Sequence, residues 1–226
     1  MKAHGFLRQV GWVLRKDLRV EWRGGETIWM VVPFAALALL LAPLALGTDA
    51  ALLRRIGPGM LWLVLLLFGM TVALRPSSGE SRPLRDLMAL SGLDPAARFL
   101  GDSLSSAILV FGVTLILTPV MIVLYAPEGR PAWGWLVLLA VTGAVALGLL
   151  GSLIGTLVTG LRARTSLAPL LALPPAMPVL VATTRGTESA VAHRSSIPWV
   201  LLLVAMDLAL VVTGVLLASP LDDTTD

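Results

Sequence analysis

Few ionisable side chains in this sequence could do chemistry inside an apolar environment, and Asp207 is the clearest. It is the only charged residue between Ile197 and Ala218. A charge at the centre of a membrane helix costs about 2.5–3.5 kcal/mol on insertion scales. Asp207 is therefore expected to be protonated and hydrogen-bonded to Thr114 or Thr142, to face water, or to pair with another subunit. Intramembrane acids are candidates for transport or catalysis.

Histidine and cysteine limit the metal chemistry of the chain. It has two histidines, His4 and His193, and no cysteine. Disulfides, thiolate metal sites and a covalent haem attachment motif are therefore excluded. The two histidines fall on opposite sides of the expected membrane, so the chain offers at most one imidazole on each side. His193 is either a solvated loop residue or an axial ligand, and no metal site is expected.

The sequence lacks the motifs of common catalytic sites. It contains no G-x-x-x-x-G-K-[ST], no H-E-x-x-H, no G-x-S-x-G and no dinucleotide-binding glycine motif. An intramembrane enzyme built on Asp207 is a possible alternative, but it would lack a second acid, a nucleophile or a metal set at suitable spacing. The chain is expected not to be an enzyme, and any ATP hydrolysis is expected on a partner.

The composition indicates that most of the chain lies in lipid. Of the 226 residues, 57% are hydrophobic and 14% are charged, and the mean hydropathy is +0.88. Soluble domains have about a quarter of their residues charged. The basic residues lie at the edges of apolar segments rather than among stacking aromatics, so no nucleic-acid binding is expected. We expect a single integral membrane domain over residues 1–226.

Six apolar segments are long enough to cross a bilayer, which needs about 20 residues. Their continuous apolar character favours helices over the alternating strands of a barrel. The sequence therefore predicts an all-α polytopic membrane protein with six transmembrane helices, at 28–47, 56–74, 103–125, 133–157, 165–183 and 197–218. Twelve of the 17 Lys and Arg residues are cytoplasmic if both termini are inside, which predicts that orientation.

A charged amphipathic segment precedes the first span. On a helix over residues 6–23, basic residues gather along one edge and apolar residues occupy most of the rest. This pattern is typical of a helix in the membrane interface. Asp17 and Glu21 project from the apolar side, where they either pair with neighbouring arginines or meet cationic groups of a partner subunit. The basic residues of this segment are Arg8, Arg15, Lys16, Arg19 and Arg23.

The largest cytoplasmic feature is the segment 76–102, between the second and third spans. It is predicted to form a short amphipathic helix, followed by a new helix capped at Asp94 and Pro95. If that second helix continues to Tyr125, it has about 31 residues and is about 46 Å long. The segment is either a solvated loop or a docking helix for a cytoplasmic partner. The docking candidates are Glu80, Arg82, Leu84, Arg85, Asp86, Leu87 and Met88.

Two spans contain residues that modify helices. In the fourth, Gly151 and Gly155 form a small-residue pattern that lets helix backbones approach closely, within the chain or between subunits. In the fifth, Pro174, Pro175 and Pro178 each remove a backbone hydrogen bond, so a straight helix is not expected. The fifth span is therefore either a fixed kink or a movable gate or binding element.

Taken together, these segments resemble the CcmB family, haem exporter protein B, over nearly the whole chain. The resemblance is carried by residues 15–23 (RKDLRVEWR), 55–62 (RIGPGMLW) and 80–90, and by Leu173-Pro174 followed by 177–180. Asp207 and the acidic tail 222–226 depart from that family's pattern.

The resemblance implies an ABC-2-like permease half in the bacterial cytoplasmic (inner) membrane, with both termini in the cytoplasm. It implies a CcmA-like ATPase partner that binds ATP and a CcmC-like haem-handling membrane subunit. It also implies that the helix at 83–90 transmits ATPase motion, braced by the N-terminal helix. Haem is the possible substrate, delivered to the chaperone CcmE on the outer face, and no cofactor is expected on this chain. The alternative is a permease of another ABC-2 exporter, for lipid, drug or polysaccharide.

Overall fold

The computed structural model describes the chain in six stretches, which are residues 2–24, 26–47, 49–74, 93–126, 132–160 and 168–223. In these stretches the secondary structure consists of seven helices and no strand. The helices are α1 Lys2–Gly24, α2 Glu26–Leu46, α3 Ala50–Ala73, α4 Pro95–Tyr125, α5 Trp133–Gly160, α6 Ala168–Val191 and α7 Ile197–Asp223. The prediction of an all-helical chain is therefore confirmed.

Five of these helices, α2, α3, α4, α5 and α7, are long and apolar enough to cross a membrane. Helix α6 has 24 residues, but three prolines, Arg185 and Glu188 lower its hydropathy, and it is not among the five. Length and composition thus support five of the six predicted spans in the described residues. The architecture is that of a helical membrane protein.

Several helices extend beyond the predicted spans. Helix α3 begins at Ala50 rather than Ile56, because the Asp49 carboxylate caps it and accepts the Ala51 and Leu52 N–H groups, each at 3.1 Å. Helix α6 continues beyond the predicted end at Thr183, and α7 continues beyond Ala218 into the acidic tail. Hydropathy detects only the apolar part of a helix. Polar turns at the helix ends are also hydrogen-bonded, so the helices are longer than the spans that hydropathy predicts.

The long helix α4 begins and ends as the sequence predicts. The Ala96 N–H donates to the Asp94 carboxylate at 2.9 Å, and Pro95 occupies the first turn. The helix has 31 residues and ends where Ala126 adopts a left-handed conformation, with φ of 39°. Its first turns are covered by other helices, since Ala97, Phe99 and Asp102 are buried.

Helix α5 lies at the centre of the bundle. In its span 72% of the residues are buried, against 17% in the spans of α2 and α7. It packs against α3, α4, α6 and α7, while α1 packs mainly against α4. The central position of α5 means that every span except α2 depends on its surface.

Glycines on α5 let the neighbouring helices approach closely. A Cβ atom at Gly148 would lie 2.7 Å from both the Ala107 backbone nitrogen and the Ser103 carbonyl oxygen of α4. A Cβ at Gly151 would overlap Ala73 of α3, and one at Gly143 would lie 2.5 Å from the Trp62 ring. The small-residue pattern therefore serves packing within this chain.

Two buried hydrogen bonds join helices that are distant in sequence. The Trp62 indole N–H donates to Thr187 Oγ1 at 2.9 Å, which links α3 to α6. The Tyr125 hydroxyl donates to the Leu39 carbonyl oxygen at 2.8 Å, which links α4 to α2. Between apolar helices such bonds are directional contacts, and they fix how far one helix slides along another.

The packing around α5 can be tested with two glycine substitutions of the same size. Gly148→Ala should destabilise the protein by about 1–3 kcal/mol, because the added methyl meets backbone atoms of α4 that cannot rotate away. Thermal unfolding of the purified protein in detergent, followed by circular dichroism, would show a lower Tm.

Gly112→Ala is the matched control, because nothing lies within 4 Å of a Cβ atom at that position. It should leave Tm unchanged or raise it, since alanine favours a helix over glycine by about 0.5–1 kcal/mol. Equal Tm values for the two variants would contradict the close approach at Gly148.

Candidate functional site

The predicted docking residues, Glu80, Arg82, Leu84, Arg85, Asp86, Leu87 and Met88, lie outside the described residues. The structure does describe the two helix ends that flank segment 75–92. Helix α3 ends at Ala73, where the Leu74 N–H donates to the Met70 carbonyl oxygen at 3.0 Å, and α4 begins after Asp94. We call the packed region around residues 73–74 and 94–106, together with the helices that cover it, the platform.

The α3 end of the platform is fixed against two helices. Gly151 of α5 lies directly against Ala73, leaving no space for a side chain. The Ser106 hydroxyl of α4 lies 3.4 Å from the Ala73 carbonyl oxygen, within reach of a long hydrogen bond. The last turn of α3 is therefore held by α4 and α5 together.

The α4 end of the platform is covered by α1 and α7. The Phe99 ring fills the space beside Gly214 of α7, where a Cβ atom would overlap it. Helix α1 crosses α4 at Gly101, where a Cβ would lie 2.6 Å from Val13 Cβ. The Asp94 N–H donates to Gln9 Oε1 at 3.1 Å, so α1 also contacts the residue that caps α4.

Asp17 joins α1 to α4 through polar contacts. The Ser105 hydroxyl lies 3.2 Å from Asp17 Oδ2 and 2.9 Å from the Asp102 carbonyl oxygen, so its one proton is shared between two acceptors. Lys16 Nζ lies 3.3 Å from Asp17 Oδ1. The side chain of Asp17 is only 15% exposed. Its ion-pair partner is thus a lysine of its own helix, not the expected arginine, and its acidic group faces α4.

The other charged side chains of α1 lie mostly on the surface. Glu21 also takes part in an interaction within the chain, whereas Arg15, Arg19 and Arg23 are exposed. Large apolar side chains of α1 are uncovered too, and Trp22 is 92% exposed. A helix with both an uncovered apolar surface and exposed basic groups suits the membrane interface, and this location stays a prediction.

Sequence analysis did not select Gln9, Gly101 or Ser105, although each contacts another helix at the platform. One signal was available, because Asp102, Ser103, Ser105 and Ser106 place four polar residues at the start of an apolar helix. All four are buried. Polar residues in such a place need partners, but the partner helix becomes apparent only from the crossing of α1 over α4.

The prolines of the predicted fifth span do not break α6. The helix runs without interruption from Ala168 to Val191, with Pro174, Pro175 and Pro178 inside it. Pro174 and Pro178 are exposed and Pro175 is half-buried. All three lie in the first half of the helix. The turns that follow Pro178 keep the helical geometry to Val191. Whether these prolines make a fixed kink or a gate stays a prediction.

Asp207 lies on the face of α7 that turns towards the bundle, on the same stripe as Leu203 and Leu210. A hydrogen bond donated by Thr114 or Thr142, which is one of three expectations for Asp207, is not formed in the structure. Those hydroxyls donate to carbonyl oxygens of their own helices, at 2.8 Å to Val110 and 2.9 Å to Leu138. Threonine in a membrane helix commonly satisfies its hydroxyl in this way.

One carboxylate oxygen of Asp207 lacks a hydrogen bond in the described part of the chain. Its Oδ1 atom is buried and has no hydrogen-bond partner among the described residues. In the same part of the chain, no three His, Asp or Glu side chains are close enough together to hold a metal ion. The acid is half-buried and stands apart from the platform contacts.

His193 lies at the opposite end of the bundle from the platform. The predicted loop from Thr184 to Ser196 is shorter in the structure, because α6 continues to Val191 and leaves only residues 192–196 between the helices. His193 is exposed and has a left-handed backbone, with φ of 52°. Arg194 is the next residue and is also exposed.

The chain is similar to known proteins over most of its length. The sequence model of the CcmB protein family matches residues 8–220. A protein named heme exporter protein B from Paracoccus denitrificans is 29% identical over 202 residues, covering 87% of this chain and 90% of the relative. Proteins of the same name from Rhodobacter capsulatus and Haemophilus influenzae are 30% and 28% identical. These matches cover 75% and 79% of this chain, and 78% and 80% of the relatives.

The contact between Asp17 and Ser105 can be measured as the stability of α1 on the bundle. Asp17→Ala and Ser105→Ala should each accelerate amide hydrogen exchange in residues 2–24 by roughly five-fold, since a hydrogen bond of this kind contributes about 1 kcal/mol. The double variant should exchange no faster than Asp17→Ala alone, because both changes remove the same contact.

Arg15→Ala is the control on the same helix, because Arg15 is exposed and its removal should leave exchange near the wild-type rate. Additive effects of the Asp17 and Ser105 changes would mean that the two side chains act independently, contrary to the structure.

Proposed function

This chain belongs to the CcmB protein family, and on that premise we propose that it is the membrane permease subunit of an ABC-type transporter for haem export in cytochrome c maturation. The observation that carries the proposal is the family match over residues 8–220. The relatives named heme exporter protein B support it, because they align with this chain over most of both lengths.

In this proposal the chain moves or guides a substrate and does not hydrolyse ATP. Its sequence has no phosphate-binding G-x-x-x-x-G-K-[ST] motif. The energy would come from a CcmA-like ATPase that binds ATP, and a CcmC-like membrane subunit would handle haem beside it. Haem is the proposed substrate rather than a resident cofactor.

We further propose that α6 is a sixth membrane span, which would complete an ABC-2-like permease half. A helix of 24 residues is about 36 Å long, enough to cross the hydrocarbon core of about 30 Å. Helix α6 packs against α3, α5 and α7. These contacts bury Ala172, Ala176 and Val179, whereas Pro174 and Pro178 lie on the exposed side of α6. Irregular backbone at membrane depth has to be covered by protein or to line a water-filled cavity, so a partner subunit would cover this side of the proposed span.

The proposed orientation places both termini in the cytoplasm of a bacterial inner membrane. The Lys and Arg distribution supports it, because six of these residues precede the first span and four lie from Arg75 to Arg98. The platform and segment 75–92 would then face the cytoplasm, and His193 would lie on the outer side.

Segment 75–92 is the proposed contact for the ATPase. Its ends are fixed on α3 and α4, which are packed against each other and against α5. A partner that displaces residues 84–88 would therefore pull on two spans at once. Helix α1 would brace the α4 end through the Gln9, Val13 and Asp17 contacts.

The proposed function predicts a specific loss in cells. Deleting the gene from its host should abolish the maturation of c-type cytochromes, detected by haem staining of membrane proteins, and the wild-type chain should restore it. Membrane proteins that hold haem non-covalently should be assembled normally, which separates a maturation defect from a general loss of haem. Normal c-type cytochromes in the deletion strain would point to another ABC-2 exporter instead.

The docking assignment predicts that Leu87→Asp releases the ATPase. A carboxylate placed in an apolar contact remains without a partner and costs several kcal/mol. We expect at least a ten-fold drop in the amount of P-loop ATPase that is co-purified with the tagged chain from detergent, and a matching loss of c-type cytochromes.

Leu52→Asp is the control for this substitution, because Leu52 is an exposed leucine at the opposite end of α3. It should leave the ATPase bound. Because the chain has no cysteine, Met88→Cys introduces a single thiol. Labelling of that thiol only from outside the cell, or ATPase retention by Leu87→Asp, would contradict the docking assignment.

A further inference from the structure

Two cavities lie at the end of the bundle opposite the platform, and they share Arg194 as a wall. One has a volume of about 280 Å³ and is lined by Arg185, Glu188, Ser189, Arg194 and Trp199. The other has a volume of about 290 Å³ and is lined by Ala132, Trp135, His193, Arg194 and Ser195. Each is close to the lower limit of about 300 Å³ for ligand cavities. The two cavities lie on either side of Arg194, so one larger ligand would occupy both by lying across that side chain.

The turn that carries His193 and Arg194 is held rigidly. The Arg194 N–H donates to the Ser189 carbonyl oxygen at 2.8 Å, and the Ser196 hydroxyl donates to the Gly186 carbonyl oxygen at 3.0 Å. Gly186 itself lies tightly between α5 and α7, where a Cβ would be 2.5 Å from Leu139 and 3.2 Å from Trp199. A binding group on this turn is therefore presented in a fixed position.

The backbone of His193 is unusual for a residue with a side chain. Its φ of 52° lies in the left-handed region, which non-glycine residues occupy infrequently. The residue caps the C-terminus of α6, where a left-handed conformation is common and the Arg194 N–H closes the cap on the Ser189 carbonyl oxygen. This conformation places an imidazole at the border of the second cavity.

The charges around Arg194 favour a ligand with an acidic group. Arg185 is paired with Glu188 at 3.0 Å, so their charges largely cancel. The guanidinium of Arg194 makes no ion pair in the part of the chain that the structure describes. A guanidinium pairs well with a carboxylate because its donors match the two oxygens.

The aromatic side chains of the two cavities favour a ligand with an apolar, flat body. Trp135 lines one cavity and Trp199 the other. Indole rings offer large apolar faces and are common where a membrane meets water. Together, these side chains favour a planar apolar ligand that has a carboxylate for Arg194 and a metal centre that the His193 imidazole can ligate.

We propose that these two cavities form a binding site for haem, in which the His193 imidazole ligates the iron, Arg194 pairs with a propionate and Trp135 packs against the macrocycle. This inference rests on the proposed function, which supplies haem as the substrate. It places the substrate at the end of the bundle opposite the platform, on the chain's own α5–α6–α7 surface. With His193 as the single protein ligand, haem is held at one axial position and stays free to be passed on at the other.

The site predicts that haem binding depends on His193. The purified chain in nanodiscs would be titrated with ferric haem and followed by the Soret absorbance. His193→Asn should weaken binding at least ten-fold and shift the Soret band away from that of a histidine ligand. Asparagine is chosen because it tolerates the left-handed conformation and cannot replace the imidazole.

Two controls separate iron ligation from general adhesion of haem. His4→Asn removes the only other histidine and should bind haem as the wild type does. Protoporphyrin without iron should bind equally to wild type and His193→Asn, followed by its fluorescence, whereas Arg194→Gln should weaken both haem and protoporphyrin several-fold. Absence of haem binding by the wild type, or equal spectra and affinities for wild type and His193→Asn, would overturn the site.

Failure of this site and failure of the proposed function have different signatures. If the wild-type chain restores c-type cytochromes to a deletion strain while His193→Asn binds haem unchanged, the function stands and the site is overturned. If haem binding requires His193 but the deletion strain makes normal c-type cytochromes, the site stands and the proposed function falls.

Discussion

The structure depends on how closely α5 approaches its neighbours. Lipid removes most of the hydrophobic driving force between helices, so association relies on van der Waals packing and hydrogen bonds. Gly143, Gly148 and Gly151 give α5 a surface without side chains on which α3 and α4 lie almost in backbone contact. The positions of the α3 and α4 ends, and hence of the segment between them, follow from this packing.

At the platform, the close packing joins the end of α3 and the start of α4 to the neighbouring helices. Ala73 is held by α5, and α4 is held by α1 and α7 through Gly101 and Phe99. The 31 residues of α4 then continue without a break to Tyr125, which is hydrogen-bonded to Leu39 of α2. A displacement at the platform would therefore be carried by one continuous helix, about 46 Å long, to the opposite end of the bundle.

The sequence predicts the helices better than the contacts between them. Apolar length identified five spans that the structure supports, and the chemistry of Asp94 and Pro95 predicted where α4 begins, because these signals are local. Helices α3, α6 and α7 extend beyond the predicted spans, since polar helical turns leave no hydropathy signal. The Ser105 partner of Asp17 could not be predicted, because it depends on which helix faces α1. The three prolines of α6 predicted missing backbone hydrogen bonds and hence a helix that is not straight. The helix is nevertheless continuous, because the turns on either side keep their hydrogen bonds.

Helices α4 and α6 differ in stiffness, and this difference affects how the two ends of the bundle are coupled. Helix α4 has one internal proline in 31 residues, whereas α6 has three in 24. Each internal proline removes a backbone hydrogen bond, so α6 resists bending less than α4 does. The half of α6 beyond the prolines is held by the Trp62–Thr187 hydrogen bond and carries Arg185, Glu188 and Ser189, which line the cavity of about 280 Å³. Tilting α3 and α4 at the platform would therefore bend α6 at its prolines. The cavity wall would then move together with the Arg194 turn, which is hydrogen-bonded to it, relative to Trp135 of α5. The same three prolines that reduce the apolar character of α6 would in this way allow a signal at residues 75–92 to change the shape of the site around His193.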